Sequence, residues 1–251
     1  MRLGALLGPV ADGGNARELA DQARQYVGEG FESLWSAQAI GRGFMITDPL
    51  ITLTVAATVT DEVELGTAVL QVPLYHPMEL AHRVFSLLQL AAGRLTLGVG
   101  TGSTENDFVA FDRPFESRFK DFSESVARLR EAFARGESGS VDLSPWPAVR
   151  GGPPLFLGSW GAGVERAAEQ YDGWIASGHY RTPEEVIAAL QRYRGAGGVR
   201  AIVSTLLIGP GDDLGEKREM LAQYAQAGFD DAVVMIQPGG PSPADVRALV
   251  G

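Results

Sequence analysis

Short apolar runs alternate with longer amphipathic segments along this chain. The apolar runs fall at residues 3–8, 31–36, 63–72, 94–101, 155–158, 174–177, 201–208 and 232–236. A turn is expected at Asp12-Gly13-Gly14, and Asn15, Asp48-Pro49 and Thr182-Pro183 are typical helix starts. Strict alternation of buried strands with helices favours a parallel sheet that is covered by helices.

Eight such units in 251 residues fit a (β/α)₈ barrel, an α/β fold of the TIM type. The average unit is about 31 residues, the size of a βαβ repeat. An open doubly wound sheet is the alternative, although that class usually has fewer units and a crevice. No linker separates two cores, so the sequence predicts a single domain over residues 1–251, with an irregular loop at about 136–152.

Composition excludes several classes of function. The chain has no cysteine, which removes disulfides, thiolate metal sites and cysteine nucleophiles. Its net charge of −10 argues against a nucleic-acid partner, which requires a basic face. No apolar stretch approaches the ~20 residues of a membrane span. The first residues are typical of a strand and not of a signal peptide, so a cytoplasmic protein with no membrane partner is expected.

The carboxyl ends of the strands, where such barrels hold their active sites, are poor in ionisable groups. They carry Ser36 to Gln38, residues 100–103, residues 158–161 and His179. The strand ends bring no pair of carboxylates for glycosidase chemistry. His76 and His82, six residues apart, do not share a helix face, so no metal site is predicted. A rim of glycines, hydroxyls, amides and tryptophans suits an organic cofactor that brings its own chemistry.

Two glycine-rich turns are candidates for phosphate binding. Residues 98–103 fail the G-x-G-x-x-G pattern because position 103 is serine. Residues 158–163 run from a strand directly into a helix, where backbone N–H groups and the helix dipole favour an anion. Phosphate binding is predicted there, with a simple tight turn as the alternative and the Gly239-Gly240 loop as a second location.

Five segments together resemble a known family. They are 30–38 (GFESLWSAQ), 48–69, 76–81 (HPMELA), 93–102 (GRLTLGVGTG) and 167–174 (AAEQYDGW). In this order and spacing they resemble the bacterial luciferase-like superfamily of flavin- and deazaflavin-dependent oxidoreductases. The resemblance covers nearly the whole chain, and it implies a (β/α)₈ barrel with a deazaflavin of the coenzyme F-420 type or FMN.

The resemblance also implies positions for the cofactor. Thr67, Ala68 and Val69 would back the ring, at a place where members often hold a non-proline cis peptide. Thr101 and Gly102, then Gly158, Ser159, Trp160 and Gly161, would approach the ribityl chain and phosphate. The helix start at Gly161, together with Arg42, Arg118 and Lys120, would supply positive potential for that anion.

By the same resemblance, the chain would transfer hydride to a small organic substrate or oxygenate it. Gln38 or His179 would donate a proton or hydrogen bond, and Trp35, Phe44 and Phe108 would line the substrate pocket, unless the aromatic residues serve core packing. A non-catalytic flavin-binding protein of the same fold is the alternative. Family analogy suggests a homodimer. Where many relatives carry a long insertion over the site, residues 136–152 are short.

Overall fold

The computed structural model describes residues 1–8 and 15–250, so the turn expected at 12–14 lies outside the described residues. The strands are β1 (Arg2–Leu6), β2 (Ser33–Ser36), β3 (Glu64–Thr67), β4 (Leu70–Gln71), β5 (Leu95–Gly100), β6 (Glu137–Ser138), β7 (Val141–Asp142), β8 (Leu155–Gly158), β9 (Gly173–Ser177), β10 (Ala201–Ile208) and β11 (Asp231–Ile236). The helices are α1 (Ala16–Gly28), α2 (Pro49–Ala57), α3 (Pro77–Leu90), α4 (Glu105–Val109), α5 (Arg118–Arg135), α6 (Gly163–Gln170), α7 (Pro183–Gly195), α8 (Leu214–Ala227) and α9 (Pro243–Arg247).

Eight of these strands close into a parallel barrel. Their order is β1-β2-β3-β5-β8-β9-β10-β11, and β11 pairs back onto β1. An open sheet would leave two edge strands, whereas here the first and last strands of the order pair with each other, with Leu3 of β1 opposite Ala232 of β11. The expected (β/α)₈ barrel is therefore confirmed.

Helix starts follow the capping chemistry of the sequence. The Asn15 side chain accepts a hydrogen bond from the backbone N–H of Arg17, and Asp48 does the same for the first turn of α2, where Pro49 is the first helical residue. Thr182 and Glu185 form a reciprocal capping box at the start of α7. The loops before α2 and α7 contribute to the barrel mouth, and these caps fix the helix starts that follow them.

The amino-terminal end of the barrel is closed by an ionic cluster. Arg200 donates to both oxygens of Glu64, at 3.0 and 2.8 Å, and to both oxygens of the fully buried Asp231, at 2.9 and 3.1 Å. Burial opposes ionisation of Glu64, but hydrogen bonds from Arg200, Thr96 and Arg2 outweigh it, so the pKa of Glu64 is lowered. This end of such barrels supports stability, whereas the opposite end holds the site.

Two segments differ from their expected form. The third strand, expected to run without a break over 63–72, is divided by a cis peptide bond between Ala68 and Val69. The segment 136–152, expected to be irregular, contains the antiparallel hairpin β6–β7 and a 3-10 turn at Pro147–Val149. The hairpin follows directly from Gly136, whose φ of +80° ends α5 in the left-handed conformation.

Candidate active site

A cavity of about 960 Å³ opens at the carboxyl ends of the barrel strands. Every barrel strand or the loop after it contributes to the wall; among the contributors are Leu6, Ser36, Val69, Gly100, Gly158, Ser177, Leu207 and Met235. The volume lies at the upper end of the range for small-molecule and cofactor sites. The cavity is therefore large enough for a cofactor together with a small substrate.

Val69 forms part of the apolar floor of this cavity. Its side chain lies against two strands, because an ideal β-carbon on Gly100 would be 2.8 Å from Val69 Cγ2 and one on Gly158 would be 2.7 Å from Val69 Cγ1. Ala68 and Ile175 also line the cavity. The non-proline cis peptide implied by the family resemblance is present between Ala68 and Val69.

Most of the residues predicted for the site line this one cavity. They are Gln38, Phe44, Ala68, Val69, Thr101, Gly102, Gly158, Ser159, Trp160 and His179. Thr67 is fully buried beside the floor, and its hydroxyl donates to the Gly98 carbonyl at 2.8 Å. Gly161 has a φ of +61°, and its carbonyl oxygen accepts a hydrogen bond from Arg192. Neither Thr67 nor Gly161 is part of the cavity wall.

Two aromatic residues predicted for the substrate pocket lie elsewhere. Trp35 is fully buried in the barrel interior, and its indole N–H donates to Ser33 Oγ at 2.8 Å. Phe108 is also fully buried and packs edge-on against Phe115 with ring centroids 5.2 Å apart. Neither side chain lines the cavity, so their place is core packing.

Gln38 is held by hydrogen bonds at both ends of its amide. The backbone N–H of Gln71 donates to Gln38 Oε1 at 2.8 Å, which fixes the orientation of the amide, and Nε2 donates to Tyr75 Oη at 2.6 Å. Burial, with a smaller effect of the Asp48 charge, raises the pKa of Tyr75 to about 12. An amide does not titrate, so the Gln38 side chain can offer hydrogen bonds but cannot serve as an acid or base.

The sequence did not reveal Gln71, which lines the cavity, or Asp107, which is buried behind the wall. The fully buried Asp107 carboxylate accepts from Arg42 at 2.5 and 3.0 Å, from Gln71 Nε2 at 2.7 Å and from the Ile40 backbone N–H at 3.3 Å. The hydrogen bond to Asp107 raises the pKa of Arg42. An acid in the first turn of a short helix looks like an ordinary helix-dipole residue. Only the tertiary structure shows that Asp107 ties the loop after β2 to α4.

Charged groups in the described part of the cavity wall are of one sign. Arg42, Arg118 and Arg181 line it, whereas no aspartate or glutamate does within residues 1–8 and 15–250. Lys120, which was expected to add positive potential, is not in the wall. Its Nζ lies 3.9 Å from Oε1 of Glu124. Among the described residues, acidic and histidine side chains form no group of three that could hold a metal ion.

Strand β10 has an irregularity that faces the site. Its register to β11 shifts between Val203 and Leu206, and Thr205 has a φ of +62°. A β-branched residue rarely adopts this left-handed conformation. Thr205 lines the cavity with Ser204, whose Oγ is 3.5 Å from Thr205 Oγ1. Because threonine is common in strands, the sequence pattern conceals this feature.

The chain matches the model of the luciferase-like monooxygenase family over residues 2–208, and it belongs to that family. It is 38% identical over 104 residues to 4-hydroxyprotoasukamycin monooxygenase of Streptomyces nodosus, an alignment of 40% of this chain and 27% of that protein. It is 35% identical over 138 residues to F-420-dependent glucose-6-phosphate dehydrogenase of Beutenbergia cavernae, covering 49% of this chain and 40% of the relative. These alignments thus span less than half of either relative.

Solved structures share the fold over nearly the full chain. A monooxygenase from Streptomyces bottropensis superposes with a TM-score of 0.79 at 19% identity, covering 99% of this chain and 96% of that one. The oxygenating constituent of 3,6-diketocamphane monooxygenase from Pseudomonas putida, in complex with FMN, has a TM-score of 0.66 at 18% identity, covering 92% of this chain and 80% of that one.

In the described residues, no helix is both long and apolar enough to cross a membrane.

Proposed function

We propose that this chain binds a reduced deazaflavin of the F-420 type, or FMN, in the cavity and uses it to reduce or oxygenate a small organic substrate. One observation carries the proposal: the described cavity wall contains no carboxylate, and His179 is its one histidine. A site with so little acid–base chemistry of its own suits a ligand that brings the redox chemistry.

The residues present fit such a cofactor. Ala68, Val69 and Ile175 offer an apolar surface to one face of a planar ring, and Thr101 and Ser159 bring hydroxyls to the wall. A bound reduced flavin or deazaflavin supplies a hydride, and reduced FMN also reacts with oxygen. The F-420-dependent relative supports the deazaflavin, our first candidate, whereas the FMN complex of similar fold supports the second.

The side chains of this chain then have distinct roles. Val69 and Ala68 would back the ring. Gln38, held by Gln71 and Tyr75, would keep the loop after β2 in place. His179 lies exposed at the rim with its ring 4.3 Å from that of Tyr180, and it would hold or deliver a proton to the substrate.

A non-catalytic flavin-binding protein is the second candidate. It is favoured by the openness of the cavity mouth, where Phe44 is 58% exposed and Met45 is 91% exposed. A wet site would not protect a reactive reduced cofactor.

Fluorescence titration with F-420 and with FMN tests binding. Turnover is tested by anaerobic oxidation of the reduced cofactor with a panel of small carbonyl compounds. A separate aerobic assay measures oxygen consumption. Tight binding of one cofactor with turnover is the expected result. Binding without turnover would favour the second candidate, and failure to bind either cofactor would overturn the proposal. His179→Gln should lower turnover and leave cofactor affinity unchanged, with the exposed His82→Gln as the control.

A further inference from the structure

The charge of the cavity wall is opposite to that of the whole chain. The chain has 31 acidic and 21 basic residues, yet the described wall holds three arginines and no carboxylate. The charge of Arg42 is matched by Asp107, whose carboxylate is buried directly behind it. Arg118 and Arg181 remain as the source of positive potential at the mouth.

Arg118 lies at the first residue of α5, between two aromatic rings. Its guanidinium carbon is 3.7 Å from the centroid of Phe115 and 4.3 Å from that of Phe119. One nitrogen, Nη1, donates to the Phe115 carbonyl at 2.9 Å. Within the described residues, Arg118 has no carboxylate within 4 Å, and its buried Nε has no acceptor. The side chain is thus held in place without a carboxylate of the described residues paired to its charge.

Arg181 is held in a similar way on another loop of the rim. Its guanidinium carbon lies 3.8 Å from the ring centroid of Trp160. The described part of the chain offers it neither a carboxylate within 4 Å nor a hydrogen-bond acceptor. It directly precedes the capping box of Thr182, which fixes the backbone there. Stacking on an aromatic face leaves the N–H edges of a guanidinium available to a ligand.

The start of α6, where the sequence predicted a phosphate, is less suited to an anion. Glu165 lies in its first turn, and Arg192 donates to that carboxylate at 2.7 and 2.8 Å. The hydrogen bond from Arg192 lowers the pKa of Glu165 to about 2, so an ionised carboxylate already occupies this helix start and is paired with the guanidinium of Arg192. Arg192 also donates to the Gly161 carbonyl.

We propose that Arg118 and Arg181 form a binding site for an anionic group, a phosphate or carboxylate, on the ligand that occupies the cavity. This proposal rests on the proposed function, because that function supplies the ring-containing ligand that carries the anionic group. Guanidinium groups bind such anions through charge-assisted, often paired hydrogen bonds. The anion belongs either to the cofactor, as its phosphate, or to the substrate.

Pairs of probes that share a ring system, one member with an anionic group and one without, test the site. FMN and riboflavin differ in the phosphate. Benzoate and benzamide, which are added to the flavin-loaded protein, differ in the carboxylate. The variants are Arg118→Gln and Arg181→Gln, and the control is Arg128→Gln, an exposed position on α5 outside the cavity wall. If the anion is the cofactor phosphate, each variant weakens FMN binding by about tenfold or more and leaves riboflavin binding unchanged.

If the anion belongs to the substrate, FMN and riboflavin bind each variant as they bind the original protein, and the preference for benzoate over benzamide is lost. Inorganic pyrophosphate, added without a ring, should raise the melting temperature of the original protein and of Arg128→Gln but not of the other variants. If pyrophosphate gives this pattern but neither the original protein nor any variant binds a ring-containing probe, the anion site is kept and the proposed function is overturned. Variants that match Arg128→Gln with every probe would overturn the anion site.

Discussion

The side chain of Val69 fills the space that a side chain at Gly158 would need, with Cγ1 only 2.7 Å from the position of an ideal β-carbon. Val69 lies in the turn after β3 and Gly158 is the last residue of β8, and the two meet on the floor of the cavity. Because Val69 has the same relationship to Gly100, two glycines of the barrel are required by one valine.

Gly158→Ala should therefore lower the free energy of unfolding by about 1–3 kcal/mol, because the added methyl group overpacks the contact with Val69. Urea denaturation measures the change. In a Val69→Ala background the same substitution should cost much less. Gly28→Ala, where nothing lies within 4 Å of the added carbon, is the control and should be nearly neutral. Equal costs in both backgrounds would show that Val69 is not the obstacle.

Arg42→Met should cost about 3 kcal/mol of stability, because it leaves the buried Asp107 carboxylate without its cation. Hydrogen exchange should also become faster in the loop after β2, whose Ile40 N–H is bonded to the same carboxylate. The control is Arg83→Met, which removes the exposed pair with Glu79 and should cost under about 0.5 kcal/mol. Similar losses in both variants, with unchanged exchange, would contradict this role of Arg42.

Thr205→Gly should stabilise the protein by about 1 kcal/mol, since glycine adopts a φ of +62° without the cost that a β-branched residue bears. Thr205→Ala separates the two effects, because it removes the hydroxyl and the branch but keeps the β-carbon. We expect thermal stability to rank glycine above alanine at this position. A glycine variant less stable than the alanine variant would indicate that the backbone at Thr205 is not strained.

Glu64 should make stability depend on pH in the acid range. Its folded pKa lies below the ordinary value of 4.5, so its contribution is fully present above that value and is lost as pH falls through the folded pKa. Glu64→Gln should lose about 3 kcal/mol at pH 7 and show a flatter decline as the pH falls below 4.5. Urea unfolding across this range measures both, with the exposed Glu79→Gln as the control. Parallel curves for Glu64→Gln and the original protein would contradict the assignment.

The sequence pattern determined the barrel because that information is local. Apolar runs spaced by amphipathic helices specify strand and helix, and caps such as Asn15 and Thr182 mark their starts. The order of strands then follows from short right-handed connections. The same topology brings strand ends together, which explains why ten predicted site residues line one cavity.

Other features were decided only by the tertiary structure, because they depend on contacts between residues distant in sequence. Asp107 meets Arg42 and Gln71 only when the loop after β2, the short strand β4 and helix α4 converge. Trp35 and Phe108 are aromatic residues whose type suits either a pocket or a core, and packing placed both in the core. Only the tertiary structure places the guanidinium of Arg181 over the ring of Trp160, where its N–H groups are available to a ligand. Sequence periodicity specifies which face of an element is buried, whereas the partner of each side chain is set by the closed barrel.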